Sequence, residues 1–227
     1  MNTQANEKLS QTCLQKLIKV WLEFEQALCK VPVVQRIENG RLSLEDYQLL
    51  LLNIRQQVIE GSRWISRSAS SFDRNYSDVR SEVISHAFEE HRDYQMLEKD
   101  YQSSGGVLEH IRVASRNDGS EALHGFLMYR ASQSNPVDML GAMWIIEGLG
   151  QKMATEWADL IEEQLGFDQK ITSFMHYHGE NDDNHMDKLY GLLETVCNTE
   201  QVVENILRTA RVVSKLYILQ LEEIDNG

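Results

Sequence analysis

The chain has few residues that break helices, form disulfides or cross membranes. Its 227 residues include only two prolines, Pro32 and Pro136, so long segments can remain helical without interruption. The cysteines Cys13, Cys29 and Cys197 form no Cys-x-x-Cys pair and always leave one thiol unpaired, which predicts reduced thiols. No run approaches the roughly 18 to 20 apolar residues of a membrane span, and the polar N-terminus has no apolar signal segment. These absences predict a cytoplasmic protein that does not bind membranes.

Positive charge is also scarce. Lys and Arg number 22 against 35 Asp and Glu, so the formal net charge is −13. A protein that binds nucleic acid needs a basic surface for the phosphate backbone, so this balance argues against nucleic acid as a partner. The hydrophobic content of 42% is enough for a full core, and the length suits one domain. The sequence therefore predicts a single globular domain over residues 1–227.

Helical periodicity dominates what is present. Between the breakers, apolar residues recur every three or four positions, which is typical of amphipathic helices and predicts an all-α bundle of about seven or eight helices. Ser43-Leu-Glu-Asp46 has the pattern of a capping box, and Gly166 is placed to end a helix. The residues Gly179 to Asn184 weaken helices, so an irregular or broken helix is expected there. Five long helices are predicted over residues 7–30, 43–72, 76–103, 135–165 and 199–225.

Two segments repeat one spacing of residues that can bind metal ions. They are His86-x3-Glu90-x2-Asp93 and His178-x3-Asp182-x2-His185. At about 100° per residue, positions 0, 4 and 7 lie within a stripe roughly 60° wide, so each helix would direct three such side chains one way. Simpler explanations are open as well. The first segment could be a solvated charged face that includes Arg92, and Asp182 could cap a helix that begins near Asn184.

Single acids lie on two further predicted helices. Glu147 is embedded in the apolar stretch from Met143 to Gly150, and Glu60 lies within helix 43–72. A buried carboxylate needs a partner. That partner could be a metal ion, or it could be Arg130 for Glu147 and a surface ion pair with Arg55 or Arg63 for Glu60.

Together these residues follow the plan of a carboxylate-bridged dimetal centre in a helical bundle. In that plan two helices each supply one Glu, and two others each supply an acid with a second ligand three residues later. Imidazole and carboxylate ligands suit iron, manganese or zinc. Two cations would also neutralise acids that otherwise repel one another.

The order of the segments resembles the haem-oxygenase-like diiron oxidases and oxygenases. The most specific element is the His178 to His185 triplet, which Ile146-Glu147-Gly148 precedes by about thirty residues, and the stretch from Glu89 to Leu97 supports it. The resemblance extends from about Trp21 to the final helix. It implies a bundle of about seven helices, related to TenA- and PqqC-type bundles. It also implies two Fe(II) ions that activate O2. Haem is not expected, because haem oxygenases hold haem iron through a histidine on the first helix and no histidine precedes His86.

The resemblance also implies a set of metal ligands and a difference from the family pattern. The expected ligands are Glu60, His86, Glu90, Asp93, Glu147, His178, Asp182 and His185. Among them, Glu147 is similar to the bridging carboxylate of the family. Family members commonly have a carboxylate where His86 stands and a histidine where Asp93 stands, so this chain exchanges the two types and keeps the number of ligands.

Several functions agree with this resemblance. The first is oxidation of a small carboxylate-bearing molecule, such as an amino acid or a derivative, with Arg63 and Arg130 as candidate anchors because guanidinium binds carboxylate through two hydrogen bonds. The alternatives are a member of the same fold that oxidises fatty acids, and a metal-free helical interaction module. The last alternative predicts exposed, ion-paired acids. The expected partners are a small-molecule substrate and O2, and the sequence leaves homodimerisation open.

Overall fold

The described part of the chain is built from helices. The computed structural model describes residues 3–226 and, for side chains, residues 6–180 and 185–225. This part contains eleven α-helices, one π-helical turn and three short 3-10 turns, and no strand. The helices are α1 Thr3–Leu28, α2 Pro32–Glu38, α3 Leu44–Ser71, α4 Ser77–Glu90, α5 Tyr94–Ser103, α6 Leu108–Val113, α7 Asp118–Ala131, α8 Leu140–Leu149, α9 Thr155–Leu165, α10 Ser173–Val196 and α11 Glu200–Glu222.

The predicted count of seven or eight helices is wrong, because two predicted long helices are interrupted. The turn at residues 91–93 separates α4 from α5, and there the amide of Asp93 bonds the carbonyl of Glu90 at three-residue spacing. The π-helical turn Gly150–Ala154 separates α8 from α9. The apolar spacing continues through both interruptions, so periodicity alone does not locate them.

The predicted irregular helix near Gly179 is also wrong, because α10 runs without a break from Ser173 to Val196. A Cβ atom on Gly179 would lie 2.0 Å from the side-chain oxygen of Thr155, the first residue of α9. The missing side chain therefore lets α10 pack closely against α9. This packing outweighs the low intrinsic helix propensity of glycine.

Packing around α8 brings the candidate metal ligands together. Helix α8 is apolar on nearly all sides, as expected for a helix inside the bundle, and Glu147 is its only charged residue. Helix α10 packs against α8, the π-helical turn, α9, α5 and α4, while α3 packs against α4, α5 and α7. The segments that carry the two spaced motifs and Glu147 are thus neighbours. Within the described residues, no helix combines the length and apolar character needed to cross a bilayer.

Candidate metal centre

Histidine and carboxylate side chains from α4, α5, α8 and α10 form two overlapping groups. The first group contains His86, Glu90, Glu147 and His185, and the second contains Glu90, Asp93 and His178. Within each group, one candidate ligand atom per residue lies within 4.8 Å of the others. Glu90 belongs to both groups, as a carboxylate that bridges two ions would.

The first group surrounds Glu147 with two histidines. The Nε2 atom of His86 lies 3.2 Å from Oε1 of Glu147, and Nδ1 of His185 lies 2.9 Å from Oε2. The two imidazole rings stack with their centroids 4.7 Å apart. All three side chains are at least nine-tenths buried, so this part of the cluster is shielded from bulk water.

The second group is formed where α4 meets α5. The Nε2 atom of His178 lies 3.3 Å from Oδ2 of Asp93. Asp93 precedes the first residue of α5, so the turn after α4 lets it lie near the same cluster as His86 and Glu90. The sequence predicts this three-residue set on one continuous helix, whereas the structure assembles it across a turn.

The two oxygen atoms of Glu90 are divided between the groups. Oε1 lies 3.8 Å from Nε2 of His86 and 3.7 Å from Nδ1 of His185, whereas Oε2 lies 3.9 Å from Nε2 of His178. These separations exceed hydrogen-bonding distance. They match ligand atoms around one ion, since two atoms that are each about 2.1 Å from an ion lie about 3.0 to 4.2 Å apart. The geometry favours Glu90 as the bridging carboxylate, the position that the resemblance implies for Glu147.

Two buried atoms of the cluster have no hydrogen-bond partner among the described residues. They are Nε2 of His86 and Oδ2 of Asp93. A buried polar atom left unsatisfied costs about 1 to 3 kcal/mol, so native structures rarely contain one without a reason. Each of these atoms faces another potential ligand, Glu147 or His178, and a cation between them would satisfy both. The donor set therefore fits metal ions in both groups.

Opposing charges stabilise the first group when it holds no metal. Burial alone would raise the pKa of Glu147, but the charge of His86 and the hydrogen bond from His185 hold that pKa well below its ordinary value. Burial disfavours protonated His86, yet Glu147 and Glu90 raise the pKa of His86 above its ordinary value. A proton on His86 thus balances the carboxylates, and a bound cation would have to displace it.

Residues around the two groups hold the imidazole rings in place. The Nδ1 atom of His178 lies 2.9 Å from the carbonyl oxygen of Phe174, so an Nδ1–H donates there and Nε2 presents its lone pair to the second group. The Nε2 atom of His185 lies 3.0 Å from Oε2 of Glu89, and Lys188 binds both oxygens of Glu89 at 2.9 and 3.0 Å. Carboxylates in this position orient metal-binding histidines and increase their basicity.

Three predicted site residues lie outside both groups. Glu60 is bound by Arg63 at 2.8 Å and by Arg116 at 2.9 Å, which agrees with the ion pair considered from the sequence. Arg130 donates from Nε to Asp138 at 2.7 Å, so it is not the partner of Glu147. The side chain of one further predicted ligand, Asp182, lies outside the described residues.

A third group of possible ligands lies elsewhere on the molecule. It contains Asp159, Glu162 and His176. His176 and Glu162 already hydrogen-bond each other at 2.6 Å, and Asp159 is exposed. This group therefore lacks the unsatisfied buried atoms that distinguish the other two.

A cavity of about 100 Å³ adjoins the metal groups. Its wall includes Glu90, Glu147 and His178, together with residues of the π-helical turn Gly150–Ala154. π-Helical turns within helices are frequent at functional sites. Most of the remaining described wall is apolar, and neither Arg63 nor Arg130 borders the cavity. A small molecule in this space would lie directly beside both groups.

Sequence comparison identifies one family. A sequence model of a haem-oxygenase-type family, described as iron-containing redox enzymes, matches residues 63–217. The matched range contains every residue of both metal groups. No curated protein sequence matches the chain significantly.

Solved structures confirm the haem-oxygenase-like fold. A domain of unknown function with a heme oxygenase-like fold from Shewanella denitrificans superimposes with a TM-score of 0.88 at 19% identity, covering 94% of this chain and 92% of that chain. A TenA homologue from Pseudomonas syringae gives a TM-score of 0.77 at 14% identity, with coverages of 95% and 93%. A TenA homologue from P. horikoshii gives 0.70 at 15% identity, with coverages of 96% and 99%. At these identities the similarity is one of fold, and one fold supports many functions.

Proposed function

The chain belongs to this family of iron-containing redox enzymes, and on that basis we propose that it is a non-haem diiron oxidoreductase that uses O2 to oxidise a small molecule. The observation that carries the proposal is the position of Glu90. Its two oxygens face different groups of ligands, and a carboxylate shared in this way is typical of a site for two ions.

The proposed iron ligands divide between the two groups. His86, Glu147 and His185 would hold one ion, Asp93 and His178 would hold the other, and Glu90 would bind both. Asp182 remains a predicted further ligand. When bound, such an iron pair supplies electrons and open coordination positions for the reduction of O2.

The protein's own contribution is to place these ligands and to restrict water. Glu89 and Lys188 hold the ring of His185, and the backbone carbonyl of Phe174 orients His178. The apolar wall of the cavity would limit the access of water to the oxidised substrate. Haem is not part of the proposal, because α1 contains no histidine that could hold haem iron as the first-helix histidine of haem oxygenases does.

The alternatives receive less support. An interaction module predicts exposed acids, but Glu147 and Asp93 are only 5% and 6% exposed. A cavity of about 100 Å³ suits a small molecule better than a long-chain fatty acid. The candidate anchors for a carboxylate-bearing substrate, Arg63 and Arg130, pair with Glu60 and Asp138 instead. Evidence on the class of substrate must therefore come from the residues that line the cavity.

Anaerobic loading with Fe(II) tests the proposed function. The protein should retain about two iron ions per chain after desalting, and the loaded protein should consume O2 faster than an equal concentration of free Fe(II). The His91→Ala variant is the matched control, since His91 is an exposed residue whose Nδ1 contacts the carbonyl of Phe88 at 2.6 Å. Iron content below one ion per chain, or O2 consumption equal to that of free Fe(II), would contradict the proposal.

A further inference from the structure

Helix α3 contributes a continuous face to the wall of the cavity beside the metal groups. Six of the described lining residues belong to this helix: Ile54, Gln57, Val58, Gly61, Trp64 and Ile65. At about 100° per residue, these six positions fall within an arc of about 120° around the helix axis, and Gly61 lies at the middle of the arc. The Cα–Cβ direction of residue 61 therefore points toward the cavity.

The space in front of Gly61 is open. A Cβ atom added to Gly61 would have no heavy atom within 4 Å. At Gly141 and Gly179, by contrast, such an atom would lie 2.1 and 2.0 Å from an atom of a neighbouring helix, so those glycines allow helices to pack closely. Gly61 does not form a turn either, since it lies inside α3 and its φ is not positive. Neither packing nor backbone conformation therefore requires a glycine at this position.

Glycine is an unfavourable residue inside a helix. Replacing alanine by glycine in a helix interior raises the equilibrium constant for unfolding about two- to five-fold, and alanine would fit at position 61 without a close contact. Two further glycines, Gly125 in α7 and Gly191 in α10, also have open space in front of them, but both are exposed and neither lines this cavity. Gly61 differs from them because its missing side chain leaves room inside the cavity.

We propose that Gly61 determines how large a substrate the site accepts, because its missing side chain leaves space in which a substrate group lies against the backbone of α3. The same cavity is bordered by Glu90, Glu147 and His178, so a group held at Gly61 would stay close to the proposed metal ligands. A side chain at position 61 would project into this space and exclude the bulkier substrates. The inference rests on the proposed function, because it names a specificity-determining residue of the same site.

Xenon and benzene are suitable probes of this space, since both bind in apolar protein cavities and benzene is the larger of the two. Binding is measured by NMR titration of the protein without O2, before and after loading with Fe(II). The unmodified protein should bind both probes. Gly61→Ala should bind benzene more weakly by about five-fold or more and xenon with a change of less than about two-fold, and Gly61→Leu should bind neither. Gly125→Ala and Gly191→Ala are the matched controls and should bind both probes as the unmodified protein does.

Urea unfolding separates a loss of space from a loss of structure. All three alanine variants should lower the equilibrium constant for unfolding about two- to five-fold, so weaker benzene binding by Gly61→Ala would not result from unfolding. Equal benzene binding by Gly61→Ala and its two controls, a higher unfolding constant for Gly61→Ala, or no saturable binding of benzene to the unmodified protein would overturn the inference. Iron content is measured on the same samples. A size effect confined to position 61 in a protein that binds no iron would contradict the diiron function and support the role of Gly61.

Discussion

Glu90 offers a direct test of whether one carboxylate serves two metal ions. Glu90→Ala removes the only described side chain that belongs to both groups, whereas Asp93→Ala affects only the second group and Glu147→Ala only the first. We therefore expect the unmodified protein to hold about two Fe(II) ions, either single-group variant about one, and Glu90→Ala fewer than one.

The same variants should differ in the stability gained from iron. At free Fe(II) of 100 times the dissociation constant, each filled site adds about 2.7 kcal/mol to the free energy of unfolding. Two filled sites give about 5.4 kcal/mol, and for a protein of this length each kcal/mol raises Tm by about 2 to 4 °C. Iron should thus raise the Tm of the unmodified protein by about 11 to 22 °C. Asp93→Ala and Glu147→Ala should gain about half of that, and Glu90→Ala should gain little.

Anaerobic differential scanning calorimetry with and without Fe(II), combined with iron analysis of desalted samples, measures both quantities. The metal-free Tm of every variant is recorded as well, so that loss of folding is separated from loss of binding. His91→Ala serves as the control, because His91 is the exposed neighbour of Glu90 in the chain. This variant should behave as the unmodified protein does. If Glu90→Ala and His91→Ala bound equal iron and gained equal stability, the claim that Glu90 is shared between two metal ions would be refuted.

Three further changes test features around the site. Glu89→Gln should lower the affinity of the first group for Fe(II) by about ten-fold or more in an anaerobic titration, because residue 89 would no longer present a negatively charged carboxylate to His185. Unchanged affinity would contradict this role. Burial raises the pKa of Asp100 to about 6, so its ionisation should cost up to about 3 kcal/mol as the pH rises from 4 to 7. In urea unfolding, Asp100→Asn should gain stability over the unmodified protein by about that amount across this range, and a constant difference would refute the assignment. Gly179→Ala should cost about 1 to 3 kcal/mol through the contact with Thr155, and the cost should shrink in a Thr155→Ala background if that contact is the cause.

Local signals in the sequence identify the fold class and many helix ends. Ser43 and Asp46 form the predicted capping box, with the amide of Asp46 bound to Ser43 Oγ at 3.1 Å and the amide of Ser43 bound to Asp46 at 2.9 Å. Gly166 ends α9 in the left-handed conformation at a φ of 68°. These features depend on a few adjacent residues. The turn after Glu90 has no such signal, because the apolar spacing continues through it, and the continuity of α10 depends on its packing against α9. The predictions for these two segments are wrong.

The candidate site likewise combines features that the local sequence predicts with features that depend on how the helices pack. The spacing of His86, Glu90 and Asp93 predicts that they face one site, although a turn and not one continuous helix brings Asp93 there. The acid in the apolar sequence of α8 is evident from the sequence alone. Their roles as ligands remain predictions. Glu60 carries a local signal that Glu147 lacks, since Arg63 lies three positions away and binds it, but the second partner of Glu60, Arg116, lies 56 positions along the chain. The contacts of Glu89 with His185 and Lys188 cannot be predicted from the sequence alone, because they join residues 96 and 99 positions apart.

The distance along the chain between ligands of the first group also bears on how the protein is made. His86 and His185 stand 99 positions apart in the sequence, and ribosomes add about 5 to 20 residues per second. Roughly 5 to 20 s therefore separate the synthesis of these two histidines, and about four fifths of the chain must exist before the first group is complete. For most of that interval, a nascent chain contains only the candidate ligands of α4 and of the turn after it. If these residues bind iron as proposed, the first group can fill only after His185 has been synthesised.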